Sequence, residues 1–373
     1  MEISPDKRLY QIALTQIKGV GDIIARNLLQ VVGDEEKIFK SGRKFLLSIS
    51  GISSKLVDEI LNPEVLDKAE KELSFVERNN ISTYFISDER YPYRLRECSD
   101  APILFYFKGD TDFNPQKVIS IVGTRNATNY GINFCETFLD YISSHHPDTL
   151  IVSGLAYGID IHAHRAAIKN NLPTVGILAH GLNMIYPHAH RQTAKEMLNH
   201  GGILSEFTSG TDPERYNFVR RNRIVAGICD TVIVVESDEK GGSLITAEIA
   251  NSYCKDIFAV PGKMTDKYSR GCNKLISSHK ADLFQSNEYF LQQMGWDNET
   301  SKAKKKKAIQ KQLFSELTEE EQKIVDILTS NTLHIDQLAR EAQIPSYQLF
   351  SILLEMEMKG IIKNTPGNMY ILS

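Results

Sequence analysis

Residues 151–160 read IVSGLAYGID: an apolar run, then Ser153-Gly154, then Gly158 and Asp160 at the start of a helical pattern. A glycine turn between a strand and a helix is suited to phosphate. Glycine lets backbone N–H groups come close to an anion, and the helix N-terminus adds its dipole. Alone, the motif fits a dinucleotide, a small nucleotide or a nucleic-acid backbone. His162 and His164, close to Asp160, raise a metal as a further option.

Two similar turns flank it in the chain. IVGTRNATNYG places Gly123, Thr124 and Arg125 after an apolar run, with a helix starting near Thr128. Arg125 there offers a planar fork to an anion. GGSLITAE places Gly241, Gly242 and Ser243 at the head of another helix. A fourth segment, FVRRNRIVAG, holds Phe218, Arg220, Arg221, Asn222 and Arg223, with Arg215 just upstream. One or two cations suffice for a small nucleotide. Four arginines beside an aromatic suit a run of phosphates with a base to stack. A solvated helix face with internal ion pairs has the same composition, and Asn222 and part of the arginine cluster fit a role in holding neighbouring loops.

The competing chemistries fit less well. No GxGxxG follows any strand, and no acidic residue ends the strand after the GTR turn, so a dinucleotide lacks its fingerprint. His162 and His164 are two residues apart on a helix and point to different sides, as do His188 and His190, so no metal site is expected. Neither GxSxG nor a Cys–His signature supports nucleophilic catalysis.

These turns need a scaffold whose strands end side by side. The runs at 117–123, 149–154, 174–179, 201–206, 231–236 and 256–262 are continuously apolar, as parallel strands buried on both faces are, and helical segments separate them. The pattern predicts an α/β fold with an extended, doubly wound, mainly parallel sheet that binds ligand beyond the strands' carboxyl ends. Upstream, ISTYFIS and ILFYFKG are β-rich runs around a Tyr91-Pro92-Tyr93 turn. Residues 1–62 read as a helical module with Gly19-Val20-Gly21 in a helix-hairpin-helix-like turn and a weaker echo at residues 46–61. Residues 63–296 form the α/β domain and 297–314 a lysine-rich linker. Residues 315–373 have three helices and a hairpin, the layout of a winged helix.

Charge narrows the partners. The chain of 373 residues has a net charge of −4. Residues 1–62 carry nine basic and eight acidic groups, 63–296 carry 24 and 28, 297–314 six and two, and 315–373 four and nine. An anion site must come from local clustering, and the acidic winged helix suits a protein contact better than a duplex. Five widely spaced cysteines without a CxxC pair, no signal-like start and no membrane-length apolar run predict a reduced, cytoplasmic protein.

In order along the chain, YPYRLRECSDAPILFYFKG, IVGTRNATNYG, IVSGLAYGIDIHAH, AHGLNMIYP, GGILSE, RRNRIVAG, GGSLITAEIA, IFAVPG and SRGCNKLI resemble the DprA/Smf (DNA processing protein A) family over about residues 81–284. The resemblance implies a non-enzymatic, cofactor-free protein that binds single-stranded DNA, protects incoming strands and helps load a RecA-type recombinase in natural transformation, commonly as a homodimer. It implies phosphate contacts from Arg125, Ser153, Gly154 and the RNR arginines, with Phe218 a base-stacking partner. This chain departs from the family pattern in reading GGSLITA for SGSLITA and in carrying Val219 where a proline is usual. A second reading is a nucleoside-monophosphate phosphoribohydrolase-like enzyme, whose GGxGTxxE loop is partly matched by Gly241, Gly242 and Glu248. Leu244 and Ile245 replace its glycine and threonine.

Overall fold

The computed structural model describes residues 5–297, 318–328, 333–358, 361–365 and 369–372. The chain divides into two compact units, residues 1–290 and 291–373. Most of the lysine-rich stretch expected to be a linker, residues 298–314, lies outside the described residues.

The first unit begins with six helices: α1 (Pro5–Gln16), α2 (Asp22–Val32), α3 (Glu35–Lys40), α4 (Arg43–Ser48), α5 (Ser54–Ile60) and α6 (Glu64–Arg78). Between α1 and α2, Gly19 has a φ of +83° and the following Val20 is buried, so the glycine turn folds as a hairpin. Ile12, Leu28, Ile38, Val57 and Ile60 form the module's core. That core continues into Val65, Ala69 and Val76 of α6 and into Ile103, Leu104 and Tyr106 at the sheet.

The sheet strands are β1 (Ser82–Phe85), β2 (Leu104–Asp110), β3 (Val118–Val122), β4 (Leu150–Ser153), β5 (Thr174–Ile177), β6 (Gly201–Ser205), β7 (Thr231–Val234), β8 (Asp256–Ala259) and β9 (Asp282–Leu283). Helix α7 (Tyr93–Arg96) lies between β1 and β2. Then α8 (Asn129–His145), α9 (Ile159–Lys169), α10 (Arg191–Met197), α11 (Arg215–Gly227), α12 (Gly242–Ser252), α13 (Arg270–Ser277) and α14 (Asn287–Gln293) follow in chain order. The strand order is β1-β2-β6-β5-β4-β3-β7-β8-β9. Every pair from β6 to β9 is parallel, whereas β2 joins β6 and β1 joins β2 antiparallel. β3 (VISIV) is buried at every position, as its apolar run requires. From β3 the chain winds outward through β4, β5 and β6, then returns to lay β7 on β3's other side. β3 therefore stands at the switch point, with Ile119 opposite both Ile151 and Thr231. Ligands bind at such points, beyond the strands' carboxyl ends.

The second unit contains α15 (Glu319–Leu328), α16 (Ile335–Ala342) and α17 (Ser346–Met358), with a small antiparallel sheet of β10 (Leu333–His334), β12 (Met369–Leu372) and β11 (Ile362–Thr365) in that order. Its core gathers Ile324, Val325, Leu338, Leu349, Leu353 and Met356. This is a winged helix, with β10 added to the expected layout. No helix among the described residues is long and apolar enough to cross a membrane.

Candidate nucleic-acid interface

The GTR, SGLAYG and GGS turns follow β3, β4 and β7, which are neighbours, so all three meet at one sheet edge. The first two are pressed together. Ile159 N–H donates to the Thr124 carbonyl at 3.1 Å, and Thr124 N–H donates to the Glu236 carbonyl at 2.7 Å. Gly158 has φ +78°, and a Cβ there would collide with the Thr124 carbonyl, so only glycine closes this turn.

Two of the helix N-termini at this edge already hold internal acceptors. Thr128 caps α8, and the Glu236 carboxylate accepts from the Thr128 N–H at 2.9 Å and from its hydroxyl at 2.6 Å. Asp160, in the first turn of α9, is buried, and its carboxylate faces the Ala156 N–H at 3.4 Å. Burial pushes the Asp160 carboxyl up. The Arg221 guanidinium and the N–H groups of Ala156 and Gly154 pull it back. The N-terminus of α12 differs: Gly241 stands at the cap with no side chain satisfying it, Gly242 is exposed, and Lys240 beside it is exposed too. Ser243 turns inward and donates to the Ser237 hydroxyl at 2.9 Å.

The arginines separate into two groups. Arg125 is exposed, and its guanidinium carbon lies 5.2 Å from the Phe218 ring centroid. Arg125 makes no ion pair among the described residues. Arg221 lies 5.9 Å from the same ring but is 4% exposed and donates to the Ile177 carbonyl. Its guanidinium also lies against Gly154, where any side chain would strike it. Burial pulls its pKa down to about 10, with Asp160 opposing and Arg125 adding to the fall. Arg220 and Arg223 point to the other face of α11. Glu206 accepts from Arg220 at 2.8 Å and from Arg223, and Asp22 of α2 accepts from Arg223 at 3.0 Å. Arg223 donates to the Asp100 carbonyl as well.

This changes how the expected phosphate contacts are placed. Ser153 is fully buried and donates to the Ile121 carbonyl at 2.6 Å, so its hydroxyl ties β4 to β3. Arg221 and Arg223 are interior cations holding loops, and Asn222 between them is half-buried. Phe218 packs under Arg125 and meets Tyr186 edge-on at 6.1 Å, so Arg125 stands over its ring. The accessible rings are Tyr157 (49% exposed) and Tyr186 (45%), which the sequence reading passed over. With Arg125, Phe218 and His180 they line a small cleft. His180 Nε2 accepts from the Tyr186 N–H at 3.2 Å, so its proton sits on Nδ1 toward the Gly181 carbonyl, and burial lowers its pKa. The hairpin in the helical module turns inward too: Asp22, at its helix start, accepts from the Ile103 N–H at 3.0 Å.

No three His, Cys, Asp or Glu side chains converge as a metal site among the described residues. His164 is buried against the Thr174 hydroxyl at 2.7 Å, and burial drives its pKa down to about 3.

Residues 82–295 match the family model for DNA recombination-mediator protein A, and 310–368 match the DprA winged helix domain. The chain belongs to the DNA recombination-mediator protein A family. DNA processing protein DprA of Bacillus subtilis is 38% identical over 224 residues, covering 60% of this chain and 75% of that protein. The crystal structure of Streptococcus pneumoniae DprA aligns with a TM-score of 0.63 at 31% identity, covering 77% of this chain and 97% of that one. Helicobacter pylori DNA processing protein A, whose structure addresses its single-stranded DNA binding mode, aligns with a TM-score of 0.52 at 29% identity, covering 58% and 96%. The motif resemblance and the winged helix of this chain agree with that membership.

Proposed function

We propose that this DprA-family chain binds single-stranded DNA across the carboxyl edge of β4, β3 and β7, and passes the strand to a RecA-type recombinase. The observation carrying the reading is Arg125: an exposed guanidinium with no carboxylate partner among the described residues, over an aromatic ring, at the switch point of the sheet. Around it, Arg221 is buried against the Asp160 carboxyl and the Ile177 carbonyl, so Arg125 is the guanidinium of this pair that faces outward toward an anion. Tyr157 and Tyr186 give bases flat surfaces within the same cleft. The uncapped N-terminus of α12 offers a second phosphate seat one strand away.

The protein acts without catalysis and without a cofactor, in the cytoplasm, as a homodimer. Leu244 and Ile245 occupy the positions at which a phosphoribohydrolase loop needs glycine and threonine, and Glu248 is paired with Lys280 at 3.2 Å. The winged helix serves protein contact. On α17, Phe350 and Leu354 are 58% and 52% exposed one turn apart, with Glu355 exposed beside them, a face that a duplex would repel. Fluorescence anisotropy with labelled single-stranded and duplex oligonucleotides tests the main reading, with AMP hydrolysis assayed on the same preparation. A preference for the single strand that weakens with salt supports it. Equal affinity for both forms, salt-independent binding or release of ribose 5-phosphate refutes it.

A further inference from the structure

The carboxyl edge of the sheet continues past β7 to β8, beyond the cleft around Arg125. Tyr130, in the first turn of α8, follows the GTR turn closely in sequence but leans the other way. Arg125 stands over Phe218 beside Tyr186, which follows β5. The Tyr130 hydroxyl instead donates to the carbonyl of Pro261, just after β8, at 2.8 Å. With the strands in the order β5-β4-β3-β7-β8, the two side chains reach to opposite sides of β3. The hydrogen bond holds Tyr130 at its hydroxyl end. The residue is nevertheless 51% exposed, and its ring meets no cation and no second ring among the described residues.

The loop that receives this hydroxyl is itself anchored. The Asn273 side chain of α13 donates to the Gly262 carbonyl at 2.9 Å and accepts from the Gly262 N–H at 3.2 Å. The Ser237 N–H, after β7, donates to the Tyr268 carbonyl at 2.6 Å. On this fixed base Lys263 is exposed and makes no ion pair among the described residues, and Met264 is 87% exposed. Of the nearby acids, Asp238 is met by Lys267 at 3.4 Å. Residues 237–242 and 260–270 together carry four basic and three acidic groups, a small positive excess within an acidic domain. A free cation, an apolar tip and an open ring side by side give a small anion no enclosure. They suit a chain that presents phosphates and flat bases in turn.

From β5 to β8 the edge is four strand spacings, about 19 Å at about 4.8 Å each. Stacked nucleotides advance about 3.4 Å apiece, so the whole edge takes about six of them. We propose that the end of β8 is a further subsite for the same single strand, with Tyr130 as a base platform and Lys263 as a phosphate contact. This rests on the reading of the Arg125 edge as a single-stranded DNA site, and it extends the strand's path one strand beyond β7.

Anisotropy titration of the full-length chain with labelled (dT)12 across a salt series tests the proposal, with light scattering on the same samples. Tyr130→Ala should weaken binding at least about fivefold, the effect of losing one stacked base. Tyr130→Phe keeps the ring and loses the bond to Pro261, so it should bind within about twofold of the unaltered chain. Lys263→Ala should make the log–log salt slope shallower by about 0.7. If Arg125→Ala weakens binding while Tyr130→Ala and Lys263→Ala change neither affinity nor slope, the β8 subsite is refuted and the Arg125 edge stands. If Tyr130→Phe loses as much as Tyr130→Ala, the hydrogen bond rather than the ring matters, and the platform is refuted. Unchanged DNA binding with an altered molecular mass would make this face a contact between copies of the chain and overturn the proposal. No binding of (dT)12 by the unaltered chain would remove both readings.

Discussion

Arg125→Ala and Arg223→Ala remove the same group from neighbouring parts of one motif set, yet the structure assigns them opposite outcomes. Arg125 is exposed and makes no ion pair among the described residues, so its loss removes one cation from the proposed DNA edge and leaves no buried charge behind. A charge-assisted hydrogen bond contributes about 1.5–3 kcal/mol. Affinity for oligothymidylate should therefore fall by roughly tenfold or more, at about 1.4 kcal/mol per factor of ten. The log–log salt slope should become shallower by about 0.7, the share of one phosphate on a single strand. Thermal stability should stay within about 1 °C, because exposed substitutions of this kind seldom exceed about 0.5 kcal/mol. Arg223 is a member of a buried network with Glu206, Asp22 and the Asp100 carbonyl. Removing it leaves Glu206 desolvated, with Arg220 as its remaining partner, a loss of about 3–5 kcal/mol. At roughly 2 °C per kcal/mol for a unit of this size, Tm should drop by about 6 °C or more. Anisotropy across a salt series and differential scanning calorimetry on both variants provide the comparison. If Arg223→Ala flattened the salt slope without lowering Tm, or Arg125→Ala left the slope unchanged, the division of α11 and its neighbours into surface and interior cations would be wrong.

Tyr157→Ala and Tyr186→Ala should each weaken single-stranded DNA binding by about 1–3 kcal/mol if a base stacks there, with little change in Tm, read by the same anisotropy titration. Gly158→Ala should destabilise the chain by about 2 kcal/mol or more in urea denaturation, because its φ of +78° and the facing Thr124 carbonyl exclude a side chain. His164 is neutral in the folded state, with a pKa near 3 against about 6.5 unfolded. Its contribution to stability is therefore complete above pH 6.5 and declines by about 1.4 kcal/mol per unit as pH falls toward 3. The slope of stability against pH in the range 4–6 should flatten in His164→Gln. Deleting residues 315–373 should leave oligonucleotide affinity intact while reducing dimer formation or recombinase contact, measured by light scattering and pull-down with purified RecA-type protein.

The sheet was largely legible because buried parallel strands such as VISIV leave a continuous apolar run, and glycine turns mark their ends. The roles of the arginines were not. Phe218, Arg220, Arg221 and Arg223 are adjacent in sequence, but the helical period sends Arg221 toward Gly154 and Arg223 toward Asp22, 201 residues away. No local pattern indicates which cation meets a distant carboxylate. Ser153 was misleading for a related reason: a hydroxyl after a strand suits a phosphate or a neighbouring strand's carbonyl equally, and only the adjacency of β3 and β4 decides. Tyr157 could have been found. An aromatic between Gly154 and Gly158, on a turn whose other side chains must pack inward, has little room to point anywhere except outward.

The same reasoning alters the physical picture of the DNA edge. Three glycine turns at three helix N-termini suggest a row of equivalent phosphate seats, each supplied by a helix dipole. The structure instead places Glu236 on the N-terminus of α8 and Asp160 on that of α9, so two of the dipoles are met by the protein's own carboxylates before any strand arrives. What remains is uneven: one guanidinium at Arg125, one uncapped helix start at Gly241 and Gly242, and tyrosine rings on one side of the arginine. On the reading proposed above, such an arrangement would hold a strand at two phosphates and leave the bases between to lie on aromatic surface, which suits a flexible single strand. A rigid duplex, with phosphates at fixed spacing and bases turned inward, could use the charges but not the rings. Preference for single strands then rests on Tyr157 and Tyr186 more than on charge, so replacing both tyrosines should narrow the single-strand preference even at a salt concentration where total binding persists.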